Sequence, residues 1–125
     1  MLERELNEFG RRMGLPGLNF GPDGLVALDV DRMGRLHLER GGRAGAEELL
    51  LYLARPFPAH DRETPERALA FCHYRYPRPF PLSAGIHGEQ LIMLTRLTER
   101  ETTAANMEKA VLMLADAMNK VNQGV

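Results

Sequence analysis

Hydrophobic residues along this chain recur with two periods, and the switches between them divide it into helices and strands. Leu2, Leu6, Phe9 and Met13 fall at steps of four, three and four, one stripe of an amphipathic helix that Gly14 and Pro16 bring to an end. The stretch 17–24, rich in Gly, Asn, Pro and Asp taken together, then predicts a turn at Gly21-Pro22-Asp23-Gly24. From Leu25 to Val30 the period becomes two, with Val26, Leu28 and Val30 alternating with Ala27, Asp29 and Asp31. A turn at Met33-Gly34 leads into Arg35 to Arg40, where Leu36 and Leu38 alternate with His37 and Glu39, so the two runs predict a hairpin.

Glu47 to Ala54 is short and built of helix-forming residues, so helix and strand both remain open there. Strand is favoured, because the preceding hairpin offers an edge and Pro56 and Pro58 cut any helix short. Thr64 as N-cap and Pro65 at the first helical position predict a second helix through Ala68 to Tyr74, stopped by Pro77, Pro79 and Pro81. Leu82 to Ile86 and Gln90 to Leu97 flank His87-Gly88-Glu89 as a second hairpin. Its Leu91-Ile92-Met93-Leu94 is apolar on both faces, the pattern of a central strand covered on both sides. A last helix begins near Thr102 or Thr103, with Met107, Val111, Leu114, Met118 and Val121 on one face. The order is α-β-β-β-α-β-β-α: an α+β class, with an antiparallel sheet and flanking helices.

Composition narrows the function without naming it. The chain has 125 residues, 44% of them apolar, enough for the core of a single domain spanning 1–125. Its formal charge is −1 and neither half carries a basic tail, so no nucleic acid and no membrane insertion is expected. One cysteine, Cys72, cannot form an internal disulfide, and the charged first residues do not resemble a signal peptide. A cytoplasmic location is the expectation.

No residue group presents catalytic or metal chemistry. The loop Gly41 to Gly45 lacks the Gly-Lys-Ser/Thr ending of a phosphate cradle and is followed by Glu47 and Glu48, so it reads as a flexible connection. Cys72 and His73, as helix neighbours, project about 100° apart, a poor arrangement for a thiolate and its base. His60, Asp61 and Glu63 lack a second histidine at ligand spacing and read as a solvated loop. His37 and His87 belong to strands or turns, and Ser83 lacks the Gly-x-Ser-x-Gly elbow of a hydrolase. Arg75 to Pro81 mixes basic, aromatic and proline residues, as a stiff connector or a docking segment does. Met13, Met93, Met107, Met113 and Met118 suit a core, or apolar faces that adapt to another chain. No catalytic residue, metal or cofactor is expected.

The run Phe80-Pro-Leu-Ser-Ala-Gly-Ile-His-Gly-Glu-Gln-Leu-Ile-Met-Leu-Thr-Arg-Leu-Thr-Glu-Arg100 resembles the last hairpin and the approach to the final helix in class I chaperones of bacterial type III secretion. This is the Tir-chaperone or CesT-like family, and the SycN-like members match best; Gly41 to Arg55 is a second match. The resemblance implies a non-enzymatic α+β dimer that binds the N-terminal region of a secreted effector or gatekeeper protein and keeps it competent for export. It implies a partner groove at Leu2, Leu6, Phe9, Met13, Val26, Leu28, Leu36 and Leu38. It also implies a dimer contact at Leu69, Phe71, Cys72, Leu82, Ala84 and Ile86, formed as a homodimer or as a heterodimer with a second small chaperone. The alternative from the same resemblance is a regulatory protein that sequesters a transcriptional regulator or anti-activator of secretion genes. At pI ≈ 6.4 the chain departs from the marked acidity usual in that family.

Overall fold

Alternating apolar residues need a neighbour on one side only, and the chain supplies it by placing its helices on a single face of a sheet. A computed structural model of the chain describes residues 2–30, 34–43, 46–58, 60–72 and 78–122. In order, these form α1 (Leu2–Arg12), β1 (Leu25–Val30), β2 (Gly34–Arg43), β3 (Ala46–Pro56), α2 (Glu63–Phe71), β4 (Ser83–His87), β5 (Gln90–Thr98), a 3₁₀ turn (Glu99–Glu101) and α3 (Ala104–Asn122). The strands run in the order β1-β2-β3-β5-β4, and every neighbouring pair is antiparallel. The predicted fold class and element order are those observed. Met33, Ala44 and Gly45, His73 and Tyr74, and Arg75 to Pro77 of the expected turn, loop, helix end and connector lie outside the described residues.

Residues 47–54 are strand. Leu49, Leu51 and Leu53 face the helices and pair with Leu97, Thr95 and Met93 across β5, while Leu51 and Leu53 pair with Leu38 and Leu36 across β2. With a β partner on each side, every backbone group of this run has a ladder to join, which outweighs its helix-forming composition. The expected flexible connection at Gly41 to Gly45 is, in its described part, strand: Gly41, Gly42 and Arg43 pair with Glu48, Glu47 and Ala46. Gly42 adopts φ +85°, and a Cβ there would stand 2.3 Å from the Ala46 carbonyl oxygen. Only glycine lets the β2–β3 hairpin close this tightly.

One apolar cluster joins the helices to the sheet. Leu6 and Phe9 of α1, Ala68 of α2, and Met107, Val111, Leu114, Met118 and Val121 of α3 share it with Leu36, Leu38, Leu49, Leu51, Leu53, Met93 and Leu97. The buried face of β5 carries Leu91, Met93, Thr95 and Leu97, but Ile92 and Leu94 on its other face are half-exposed. β5 is therefore interior in the sheet yet covered on one side only, because every helix packs against the same face.

The helix starts differ from expectation in one respect. Thr64 lies inside α2 and is buried, and Asp61 does the capping: its Oδ1 accepts from the amides of Glu63 (3.0 Å) and Thr64 (3.1 Å) and its Oδ2 from the Thr64 hydroxyl (2.5 Å). These hydrogen bonds hold the Asp61 carboxyl below the usual range, those from Thr64 first. At α3, Thr103 Oγ1 accepts from Asn106 N at 3.1 Å, and Glu5 Oε1 of α1 accepts from Ala104 N at 2.8 Å. Arg67 Nε donates to the Val121 carbonyl at 2.9 Å and its Nη2 to Thr64 Oγ1 at 3.0 Å, which ties α2 to the end of α3.

Phe9 is wholly buried in this cluster. Phe9→Ala is expected to destabilise the fold by about 3–5 kcal/mol, read as a lower urea midpoint with the slope unchanged; a midpoint equal to wild type would contradict this placement.

Candidate partner-binding surfaces

The implied groove residues divide into two groups. Leu6, Phe9, Leu36 and Leu38 have no exposed surface, because the stripe that makes α1 amphipathic is the one it buries in the shared cluster, where α1 packs against α3. As they stand these four are core, and they offer no groove. Leu2, Met13, Val26 and Leu28 are half-buried at the margin of the same cluster, together with Leu18 and Phe20 of the loop after α1. That loop is held close: the Leu15 amide donates to the Gly10 carbonyl at 2.6 Å, and a Cβ on Gly10 would stand 2.5 Å from Leu15 O and 2.9 Å from the Leu18 Cβ. The Arg40 guanidinium lies 5.5 Å from the Phe20 ring centre and pairs with Glu3 at 2.6 Å.

The implied dimer residues divide likewise. Leu82 is buried core, whereas Phe71, Cys72 and Ala84 are half-buried. Leu69 of α2 is 65% exposed and Ile86 of β4 is 54% exposed, two large apolar side chains on neighbouring elements at the open end of the sheet. Burial pushes the Cys72 thiol up, with Arg78 acting in the opposite direction; this disfavours the thiolate a nucleophile needs.

A third surface was not anticipated. On the helix-free face, the cross-strand row Ala27, His37, Tyr52, Leu94 and Ser83 runs from edge to edge, flanked by Leu50 on one side and by Ala54 and Ile92 on the other. Apart from Ala54, the apolar members of β3 and β5 here are half-buried, and no described helix covers them. The ion pairs Arg35–Asp29 (3.3 Å) and Arg96–Glu48 (3.8 Å) bound this strip at its two ends. The signal was present in the sequence: both β3 and β5 are apolar on alternate as well as successive positions. For Leu91-Ile92-Met93-Leu94 the pattern predicts cover on both sides, and the described helices supply it on one.

At the centre of the strip the His37 and Tyr52 rings stack, with centroids 4.6 Å apart and planes within 6°. Burial, then the neighbouring Arg35, lowers the His37 pKa below the usual imidazole range, and burial raises the Tyr52 phenol. His37 Nδ1 is buried without a hydrogen-bond partner. No group of three or more His, Cys, Asp or Glu side chains that could hold a metal ion occurs among the described residues. No described helix is long and apolar enough to cross a membrane.

Residues 1–122 match the profile of the type III secretory system chaperone SycN. The chain belongs to the SycN family. It is thus a type III secretion chaperone, of a family that is non-enzymatic, and its fold is shared with solved structures of such proteins. One is the Yersinia pestis type III secretion chaperone SycH in complex with a stable fragment of YscM2, at TM-score 0.74 and 14% identity over 97% of this chain and 99% of that one. The ExsC–ExsE complex matches at TM-score 0.72 and 23% identity, over 94% and 87% of the two chains. The HopA1–SchA chaperone–effector complex matches at TM-score 0.69 and 14% identity, over 96% and 91%. Among curated proteins none matches.

In this SycN-family chain the lowered pKa of His37 links the bare face to pH. The unfolded chain takes up the proton more readily, so stability is full above an imidazole's ordinary pKa of about 6.5 and declines as pH falls from there through the lowered folded value. His37→Gln is expected to lose less stability than wild type between about pH 7.5 and about pH 5.5 in urea titrations; equal losses would remove His37 from this role.

Proposed function

We propose that the chain is a cytoplasmic, non-catalytic chaperone that acts as a dimer and holds the N-terminal region of a secreted effector or gatekeeper protein in an export-competent, non-globular state. The observation that carries this reading is the helix-free face of the sheet, an apolar strip from Leu50 to Ile92 wider than one strand and left without cover by the chain's own helices. Half-buried apolar side chains gathered on a sheet face that no described helix covers are the kind of surface a partner completes. An extended segment has its own reason to use it. Ordering such a segment costs about 2–5 kcal/mol, so the surface that receives it must be long and apolar, with backbone pairing available at a sheet edge. β1 is such an edge, and Leu2, Met13, Val26 and Leu28 lie beside it on the helix side.

Leu69 and Ile86 suit the dimer contact. Both are large, apolar and mostly exposed, and α2 and β4 lie at the far end of the sheet from β1. The two uses therefore do not compete for the same residues. A second copy and a second small chaperone are both compatible with this patch.

Two variants separate the roles. The double change Leu50→Asp with Leu94→Asp, checked for native circular dichroism, is expected to lose the secreted protein that wild type captures from its own cell, with an affinity drop of about tenfold or more, while light scattering still gives a dimer. Leu69→Glu with Ile86→Asp is expected to give the monomer mass. Retention of the secreted partner by the first variant would refute the sheet-face site, and an unchanged mass in the second would refute the α2–β4 contact.

A further inference from the structure

The helix side of the molecule carries a second surface, separate from the sheet face and from β1. Between the end of α2 and the outer face of α3 runs a groove of about 590 Å³, lined among the described residues by Phe71, Arg78, Pro79, Lys109, Leu112, Met113, Asp116 and Lys120. Its floor is apolar: Phe71 and Met113 are partly buried against the core, and Leu112 is 57% exposed. Leu112 stands exposed on a helix whose Met107, Leu114 and Met118 are fully buried, and it shares the groove with the partly buried Met113.

The charges around this floor are mostly of one sign. The chain has only two lysines, and both are here, Lys109 at one end of the groove and Lys120 at the other. Arg78 joins Lys120: its guanidinium lies 4.7 Å from the Phe71 ring centre, and the Lys120 ammonium lies 6.0 Å from the same ring. Among the described lining residues Asp116 is the one carboxylate, and it pairs with Lys120 at 3.1 Å; Arg78 also donates to the Phe71 carbonyl. In a chain that is near neutral overall, the described lining of this apolar floor carries three cations and one carboxylate, a local excess that selects for sign.

We propose that this groove docks a short acidic segment of a partner protein, with carboxylates at both ends and large apolar side chains between them. Helix rise places Lys109 and Lys120 about 16 Å apart along α3, a span that an extended segment covers in about five residues. The apolar residues of the segment rest on Leu112, Met113 and Phe71, while its carboxylates meet Lys109 at one end and Arg78 with Lys120 at the other. The site is independent of the sheet-face reading, so one chain could hold two stretches of polypeptide on opposite faces.

The test uses the full chain and a fluorescein-labelled synthetic peptide of about seven residues, with two glutamates on each side of leucine, phenylalanine and leucine. Its control has lysines in place of the glutamates. Fluorescence anisotropy is expected to show saturable binding of the acidic peptide, at least about tenfold tighter than the basic one and weakened by added salt. Lys109→Glu with Lys120→Glu, and separately Leu112→Asp, should each reduce that binding about tenfold, whereas Leu50→Asp with Leu94→Asp should leave it unchanged. Equal binding of both peptides, or binding that survives the lysine reversals, would overturn the proposal. So would a fall to monomer mass in Leu112→Asp, which would make the groove a contact between copies of this chain.

Discussion

The helices cover the sheet face that bears Leu36, Leu38, Leu49, Leu51, Leu53, Met93 and Leu97. Because strand side chains alternate, that one contact also decides that Leu50, Tyr52, Ile92 and Leu94 point the other way. A one-residue slip of β3 or β5 would exchange the two sets. The register is protected by the helices themselves, since only the buried set meets the stripe of α1 and α3. Stability and availability for a partner are thus two sides of the same pairing, and a chain with apolar residues on both faces spends one face on its own fold.

The limits of the sequence lie where two environments demand the same residue type. Period two in β1 and β2, and the long stripe of α3, were legible because the opposite positions are polar. Residues 47–54 were ambiguous because Leu50 and Tyr52 interrupt the alternation; only pairing with β2 and β5 resolves them as strand. Leu6 and Phe9 carry no mark that tells a core stripe from a partner groove, and burial assigns them to the core. The α2 start shows the same limit at shorter range: Thr64 and Asp61 are both good caps by chemistry, and the backbone geometry chose Asp61. Of the implied dimer residues, Leu69 and Ile86 are placed at the surface and Leu82 is not, a distinction that needs the position of β4 against the core.

Charge is distributed with similar economy. The ion pairs of the sheet, Arg35–Asp29 and Arg96–Glu48, are exposed and contribute at most about 1 kcal/mol each. Their place at the two ends of the apolar strip matters more, because a segment laid along the strip as proposed would meet charge there. The lysines of α3 stand apart from these pairs, which is how a chain with almost no net charge can still present a groove whose described rim is mostly cationic.

The hydrogen bond from the Ala104 amide to Glu5 joins residues 99 positions apart. α1 is made before every other described element and α3, against which it packs, after them all, so Leu6 and Phe9 wait for that cover until the strands between have been made. On the proposed reading, a chain that holds another polypeptide extended leaves its own first helix waiting in the same way until α3 is made.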